Sequence, residues 1–348
     1  MDFDEVPVRR TRRKAESSAE PRPDDLAGLL ARKVVGQPSA VSKIIPYIQM
    51  FQAGLAPEGR PIGIFLLLGP TGTGKTRTVE ALAEVLHGSA KNLLKVDCGE
   101  FQMEHEVAKL VGAPPGYLGH RETHPMLSQA KLASVASEKS SISIVLFDEI
   151  EKAAPSMTRL LLGILDKATL RLGDNNTVNF EKSLIFLTSN LGARAMMKQL
   201  GRGFGFEPPR VDDSRNTSDR LGRIAQAAAR RQFTPEFMNR IDVSLTYEPL
   251  DQECLQTILD QHLADLQTHI LERLGARAFQ LTVPKESRLF LLRQGTSVEY
   301  GAREIKRTIH RHLMQPLAAM ISDGRVEPGA SVHATLSSEG DGLVLRAA

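Results

Sequence analysis

Three glycines, a lysine and a threonine at fixed spacing, Gly69-Pro70-Thr71-Gly72-Thr73-Gly74-Lys75-Thr76, follow directly on the apolar run 62–68. Glycines here let the backbone curl until successive N–H groups point inward, which makes a cradle for phosphate. Lys75 adds a mobile positive charge for the β and γ phosphates, and Thr76 offers a hydroxyl to Mg²⁺. Thr71, Gly72, Thr73, Gly74, Lys75 and Thr76 are therefore the expected phosphate contacts, and a nucleoside triphosphate is the expected ligand. A second apolar run, 143–147, ends in Asp148-Glu149. Two carboxylates at the carboxyl edge of a sheet suit hydrolysis: Asp148 would support the Mg²⁺ shell, and Glu149, free of the metal, would polarise the attacking water as general base. The alternative is that the pair only caps the next segment.

These groups need strands that end at one edge and a helix that starts there. The segment Thr76–Leu86 reads as that helix, with Val79, Leu82, Ala83 and Leu86 on one face and its N-terminal dipole toward the phosphates. Apolar strand candidates at 62–68, 93–97, 143–147, 184–188 and 243–247 alternate with helical stretches, including one opened by Pro155 with Leu160, Leu161, Ile164 and Leu165 in a stripe. This alternation predicts an α/β fold with a doubly wound parallel sheet. From Leu250 the pattern turns helical, with Leu255, Ile258, Leu259, His262, Leu263 and Leu266 at helical spacing. The chain closes on alternating segments 331–337 and 342–346 around Gly340-Asp341-Gly342, which read as a hairpin. Three units are expected: a disordered basic tail over 1–24, a large ATPase unit over 25–249 and a smaller, mostly helical unit over 250–348.

Composition narrows the class. The 348 residues carry 44 Lys and Arg against 41 Asp and Glu, a net charge of +3 that does not demand nucleic acid. Two cysteines, Cys98 and Cys254, offer no disulfide framework and no metal-ligand spacing, so a reducing, cytoplasmic setting is the simpler reading. No apolar run approaches the ~18 residues of a membrane span, and the N-terminus is polar rather than signal-like. Arg9, Arg10, Arg12, Arg13 and Lys14 cluster in the tail, where a solvated charge run is the plain reading and an acidic partner the other.

The motifs taken together resemble the Clp AAA+ protein unfoldases. The phosphate loop is followed in order by Val111-Gly112-Ala113-Pro114-Pro115-Gly116-Tyr117-Leu118-Gly119, Leu146-Phe147-Asp148-Glu149, Thr188-Ser189-Asn190-Leu191-Gly192, Pro235-Glu236-Phe237-Met238-Asn239-Arg240-Ile241-Asp242 and Gly301-Ala302-Arg303. The likeness runs from about residue 26 to the C-terminus and is strongest to the second ATPase module of the two-ring members, ClpB, ClpA and ClpC. A helical-repeat N-terminal domain, a first ATPase module and a middle coiled coil are not expected within these residues, so activities that need them are not carried over.

The resemblance implies ATP and ADP as ligands, Mg²⁺ as cofactor and a homohexameric ring acting on protein substrates. Val34 and Val35, in Val34-Val35-Gly36-Gln37, match the adenine pocket, although a buried connecting strand would look the same; Arg77, Ile258 and Ala302 are further expected nucleotide contacts. Asn190 would hold the water or the γ-phosphate. Arg240 resembles an arginine finger reaching the neighbouring subunit's nucleotide, and Arg303 a sensor arginine closing from within the chain. Neither arginine is assigned an ionic partner here, which suits charge supplied by nucleotide, yet a surface salt bridge is the ordinary fate of either alone.

Tyr117, in an exposed turn of prolines and glycines, would grip a threaded polypeptide with Leu118 beside it; folding back on its own domain is the alternative. His120 and His124 lack a third ligand and are not read as a metal site. Phe204 and Phe206, among glycines, loosely resemble a tripeptide that docks on a peptidase ring, against a plain insertion that folds its aromatics inward. The expected function is an ATP-dependent unfoldase, as chaperone, disaggregase or peptidase regulator. The competing expectation is an ATPase that remodels nucleic-acid or protein complexes without threading. A nucleotide switch that barely turns over is disfavoured by the joint presence of Glu149, Asn190, Arg240 and Arg303.

Overall fold

The structure, a computed structural model, describes residues 23–112, 125–202, 213–296 and 301–347. Ten strands occur among the described residues: β1 (Gly63–Leu68), β2 (Leu94–Asp97), β3 (Ser143–Asp148), β4 (Thr169–Arg171), β5 (Thr177–Asn179), β6 (Ser183–Ser189), β7 (Val243–Thr246), β8 (Gln280–Thr282), β9 (Ser331–Leu336) and β10 (Leu343–Ala347). Five of them form one parallel sheet in the order β2-β3-β6-β1-β7. The continuous apolar sequence of β1 follows from burial on both faces, as expected of a parallel sheet covered by helices. Its side chains divide with the strand period: Ile64, Leu66 and Leu68 enter one cluster, Phe65 and Leu67 the other.

The helix Lys75–His87 covers the second face with Val79, Leu82, Ala83 and Leu86, all at 0% exposure, so the predicted stripe is the buried one. The helix Pro155–Lys167 covers the first face through Met157, Leu161, Ile164 and Leu165. Each such leucine contributes about 1.5–3 kcal/mol by leaving water. The chain enters the fold through two further helices, Pro23–Lys33 and Pro38–Gln52, whose Leu26, Leu30, Ile44 and Ile48 join the second face.

Sequence periodicity does not register β4 and β5, an antiparallel pair of three residues each that presents Leu170 and Val178 inward. Strands so short carry too few alternations to read. A third hydrophobic cluster gathers Leu255, Leu259, Leu263 and Leu266 of the helix Gln252–Leu274 with Phe290, Leu291, Ile305, Ile309, Leu313 and Val332. The helix Ala302–Ile309 passes through a π turn, His310–Met314, into Gln315–Ser322. Pro316 lacks the N–H that would continue the regular ladder, which accounts for the widened turn ahead of it. The C-terminal hairpin is present as β9 and β10, but it belongs to a three-stranded sheet, because β8 runs parallel to β9.

Candidate active site

β1 delivers the chain to a loop in which Gly69, Gly72 and Gly74 have φ of 146°, 76° and 101°, a region that side chains disfavour. At Gly69 the requirement is also steric: a Cβ there would lie 2.4 Å from the carbonyl oxygen of Tyr247. Gly74 caps the helix Lys75–His87, so Lys75 and Thr76 open its first turn with the helix dipole behind them.

Lys75 is buried, and its Nζ donates to Gly69 O at 2.7 Å, to Pro70 O at 2.8 Å and to Asn190 Oδ1 at 2.9 Å. Burial pushes its ammonium down to about 8; Glu151 opposes that shift, Arg303 reinforces it, and Asp148 and Glu149 oppose it further. Asn190 directly follows β6, the strand next to β1, and its side chain also donates through Nδ2 to Glu149 Oε1 at 3.2 Å. A continuous hydrogen-bonded chain therefore joins Lys75 to Glu149.

Asp148, at the end of β3, is held from three sides. Its Oδ2 pairs with Lys95 of β2 at 2.7 Å, its Oδ1 accepts a short hydrogen bond from the Thr188 hydroxyl, and the same oxygen accepts from Thr76 Oγ1 at 3.4 Å. Burial works against its charge, but Lys95, Thr188 and Thr76 outweigh it and hold the carboxyl below the usual carboxylate range. Thr188 serves twice, since its Oγ1 also accepts the Glu149 N–H at 3.0 Å. That bond steadies Glu149 at φ 58°, a left-handed conformation costing a residue with a side chain about 1–2 kcal/mol. The Glu149 carboxylate also meets Lys152 one turn on, and Glu151 accepts the Asn190 backbone N–H at 3.0 Å.

Eleven residues line the cleft: Thr71, Gly72, Gly74, Lys75, Thr76, Arg77, Asp148, Glu149, Thr188, Asn190 and Arg303. Arg303 arrives from the third cluster's helix Ala302–Ile309, which is fastened to the phosphate loop by its own backbone: Ala302 N–H donates to Gly72 O at 3.2 Å. Gly301, at φ 52°, permits this approach, because a Cβ there would lie 2.9 Å from Gly72 O.

Val34, buried, and Val35, half-buried, sit in a turn between two helices and not in a strand. The adjoining Gln37 ties that turn to the loop, donating from Nε2 to Thr73 O at 3.2 Å and to Glu248 O at 2.9 Å. Thr73 is buried behind the loop with its hydroxyl on Pro70 O. Gly36 abuts Leu250 and Cys254, and Ile258 lies one turn further along the same helix, partly buried against the third cluster.

Arg240 lies outside the cleft and, contrary to the sequence expectation, has an acidic partner: its Nη1 is 3.1 Å from Asp166 Oδ1. A helix end 74 residues upstream cannot be paired with it by inspection of neighbouring sequence. Lys95, Thr188, Glu151 and Lys152 are site residues that sequence reasoning missed; Thr188 alone carried a signal, through its place in Thr-Ser-Asn. Tyr117, Leu118, His120, His124, Phe204 and Phe206 lie outside the described residues.

Two family profiles match the chain: the AAA domain (Cdc48 subfamily) over residues 60–244, and the C-terminal, D2-small domain of ClpB protein over residues 250–334. The chain is 36% identical over 318 residues to the chaperone protein ClpB of Corynebacterium diphtheriae, covering 91% of this chain and 33% of that protein. It is 36% identical over 304 residues to the ClpB of Vibrio cholerae, covering 87% of this chain and 33% of that protein. The chain thus spans about a third of the length of the curated relatives it matches. Among solved structures, S. cerevisiae Hsp104 in complex with casein, in an extended conformation, aligns with a TM-score of 0.77 at 26% identity, covering 95% of this chain and 53% of that one. A closed-state reconstruction of Hsp104 with ATPγS and FITC casein aligns with a TM-score of 0.75, also at 26% identity, covering 93% of this chain and 51% of that one.

Proposed function

Because the chain belongs to the AAA domain family and continues into a D2-small domain like that of ClpB, we propose that it is an ATP-hydrolysing motor that unfolds or remodels proteins by threading them through a homohexameric ring. The reading rests on one observation above all: the linked set Lys75, Asn190 and Glu149, with Arg303 brought to the same cleft from the C-terminal region. Such a set binds a triphosphate, aims a water and couples both to a second unit. Residues 25–249 and 250–348 serve as the large and small units of the motor, and its work is placed in the cytoplasm. Among the described residues no helix is long and apolar enough to cross a membrane.

In this reading Gly72 and Gly74 present backbone N–H groups to the phosphates while Lys75 exchanges loop carbonyls for phosphate oxygens. Val34, Val35, Ile258 and Ala302 enclose the adenine, and Arg77 lies at the cleft's edge. Thr76 and Asp148 supply hard oxygen donors 3.4 Å apart, a set that fits Mg²⁺. The described residues hold no cluster of three His, Cys, Asp or Glu side chains. When bound, Mg²⁺ neutralises charge on the β and γ phosphate oxygens. Glu149 orients and deprotonates the water, Asn190 holds water and γ-phosphate in register, and Arg303 answers the charge that grows on the phosphates. Arg240 does the same for the neighbouring subunit.

The ATP-dependent loss of fluorescence from a tagged, stably folded reporter tests the function. Tyr117→Ala, with Leu118 left in place, is expected to keep at least part of the basal ATPase and to lose reporter unfolding. Unchanged unfolding by that variant would remove threading and favour remodelling without it. Docking of a peptidase ring by Phe204 and Phe206, against an insertion that folds its aromatics inward, is a reading carried by the sequence alone. Both residues replaced by Ser should then abolish peptidase pull-down while sparing ATPase.

A further inference from the structure

We infer that Asp166 is the positioning residue for Arg240: it sets the direction from which that guanidinium is offered to the next subunit's nucleotide. The inference rests on the proposed role of Arg240 in a neighbouring site.

The backbone of Arg240 has little freedom. Thr234 caps the helix Pro235–Asn239 by accepting the Phe237 N–H, Phe237 is buried in the main core, and Arg240 N–H closes the helix on Phe237 O at 3.1 Å. Two residues on, Asp242 is stitched to β1: its N–H donates to Ile64 O at 3.0 Å and its Oδ2 accepts from Ile64 N–H at 2.9 Å. The Arg240 side chain is different, since several rotatable bonds separate this fixed backbone from the charge. Its guanidinium needs a second point of attachment to have a defined direction, and Asp166 Oδ1, 3.1 Å from Nη1, is that point.

Asp166 is an odd choice for its own helix. It is the penultimate residue of Pro155–Lys167, where the helix dipole disfavours an acid and favours a cation. Local helix physics therefore does not account for the residue, whereas the contact with Arg240 does. Arg240 Nε is buried without a hydrogen-bond partner, so the inner side of the guanidinium is packed into the chain. With Asp166 taking one corner and the chain covering Nε, the group is left half-exposed, able to meet an anion from outside without being free to swing.

The test is a double-mutant cycle on steady-state ATPase of the assembled protein, with Asp166→Ala, Arg240→Ala and the two combined, alongside Asp166→Asn as a shape-preserving variant. A misaimed group costs about 10- to 100-fold in rate. Asp166→Ala is thus expected to lower kcat by about that factor with KM within about twofold, and to add nothing in the Arg240→Ala background. Asp166→Asn keeps an acceptor at Oδ1 and should recover part of the loss. Thermal melts of each variant show whether folding is intact.

Four outcomes overturn the inference while leaving the role of Arg240 standing: kcat for Asp166→Ala within about twofold of the unaltered protein while Arg240→Ala is crippled; an equal further loss in the Arg240→Ala background; a loss carried wholly by KM; or an Asp166→Asn protein, folded by its melt, that is as impaired as Asp166→Ala. An Arg240→Ala protein with normal ATPase in the assembled ring overturns both.

Discussion

Lys75 Nζ lies 2.9 Å from Asn190 Oδ1, and the amide of the same Asn190 donates to Glu149 Oε1 at 3.2 Å. The residue proposed to meet phosphate and the residue proposed to activate water are thus two hydrogen bonds apart, across 74 positions of sequence. A change at either end is felt through Asn190, yet the two ends do different work.

That division sets the first expectation. Glu149→Gln keeps the amide contact and removes the base, so it should hold ATP and stop turnover, whereas Lys75→Ala should lose ATP binding itself. Equilibrium binding of a fluorescent ATP analogue, measured beside steady-state ATPase, separates them. Near-normal turnover by Glu149→Gln would refute the assigned base.

Arg240 does not line the cleft of its own chain, so its proposed role is a matter of assembly. Arg240→Ala should lower ATPase by roughly a thousandfold in the ring while a subunit's affinity for nucleotide stays near normal. Mixing it with Lys75→Ala subunits should restore part of the activity, because some interfaces then combine an intact site with an intact arginine. Absence of recovery in mixed rings, with full activity in dilute monomer, would place the arginine's action within its own chain.

Gly301 is the joint between the phosphate loop and the C-terminal helices. With φ at 52°, ψ at −140° and Gly72 O only 2.9 Å from any added Cβ, Gly301→Ala carries about 1–3 kcal/mol of backbone strain and must push Ala302 off the loop. Nucleotide affinity should fall by roughly tenfold, the equivalent of an energy in the lower part of that range. Isothermal titration with ADP checks it, and unaltered affinity would mean that the joint does not bear on binding.

The depressed Lys75 ammonium makes a signed prediction about pH. Its folded value of about 8 lies below the ordinary 10.5, so between those values the unfolded chain holds a proton that the folded chain has released. Stability contributed at this position therefore rises with pH across that window and is at its lowest below about 8. In denaturant titrations without nucleotide, the unaltered protein should gain stability relative to Lys75→Met on going from about pH 7 to about pH 9.5. A difference that stays flat over this range would show that the lysine keeps its proton in the folded chain.

Much of the proposed nucleotide site was legible in the sequence because its chemistry is local in the chain. The loop from Gly69 to Thr76 specifies its own backbone curl through glycine and its own charge through Lys75, and the uniformly apolar runs that became β1, β3 and β6 mark strands buried on both faces. The helix after the loop shows its buried stripe by spacing alone. Short elements such as β4, β5 and β8 fell below what periodicity can register, and the parallel pairing of β8 with β9 turned an expected hairpin into part of a mixed sheet.

The partnerships inside the site were decided by tertiary structure. Strand order places β3 beside β2 and β6, and only that adjacency brings Lys95 and Thr188 onto Asp148. Helix packing likewise puts Asp166 against Arg240, and a glycine in a left-handed turn lets Ala302 reach Gly72. Hydrogen bonds and ion pairs act over about 3–4 Å of space and are indifferent to distance along the chain. Residue types and spacing can therefore point to a lysine suited to phosphate, while the group that holds it, aims it or shifts its proton is set by how the strands and helices come to lie side by side.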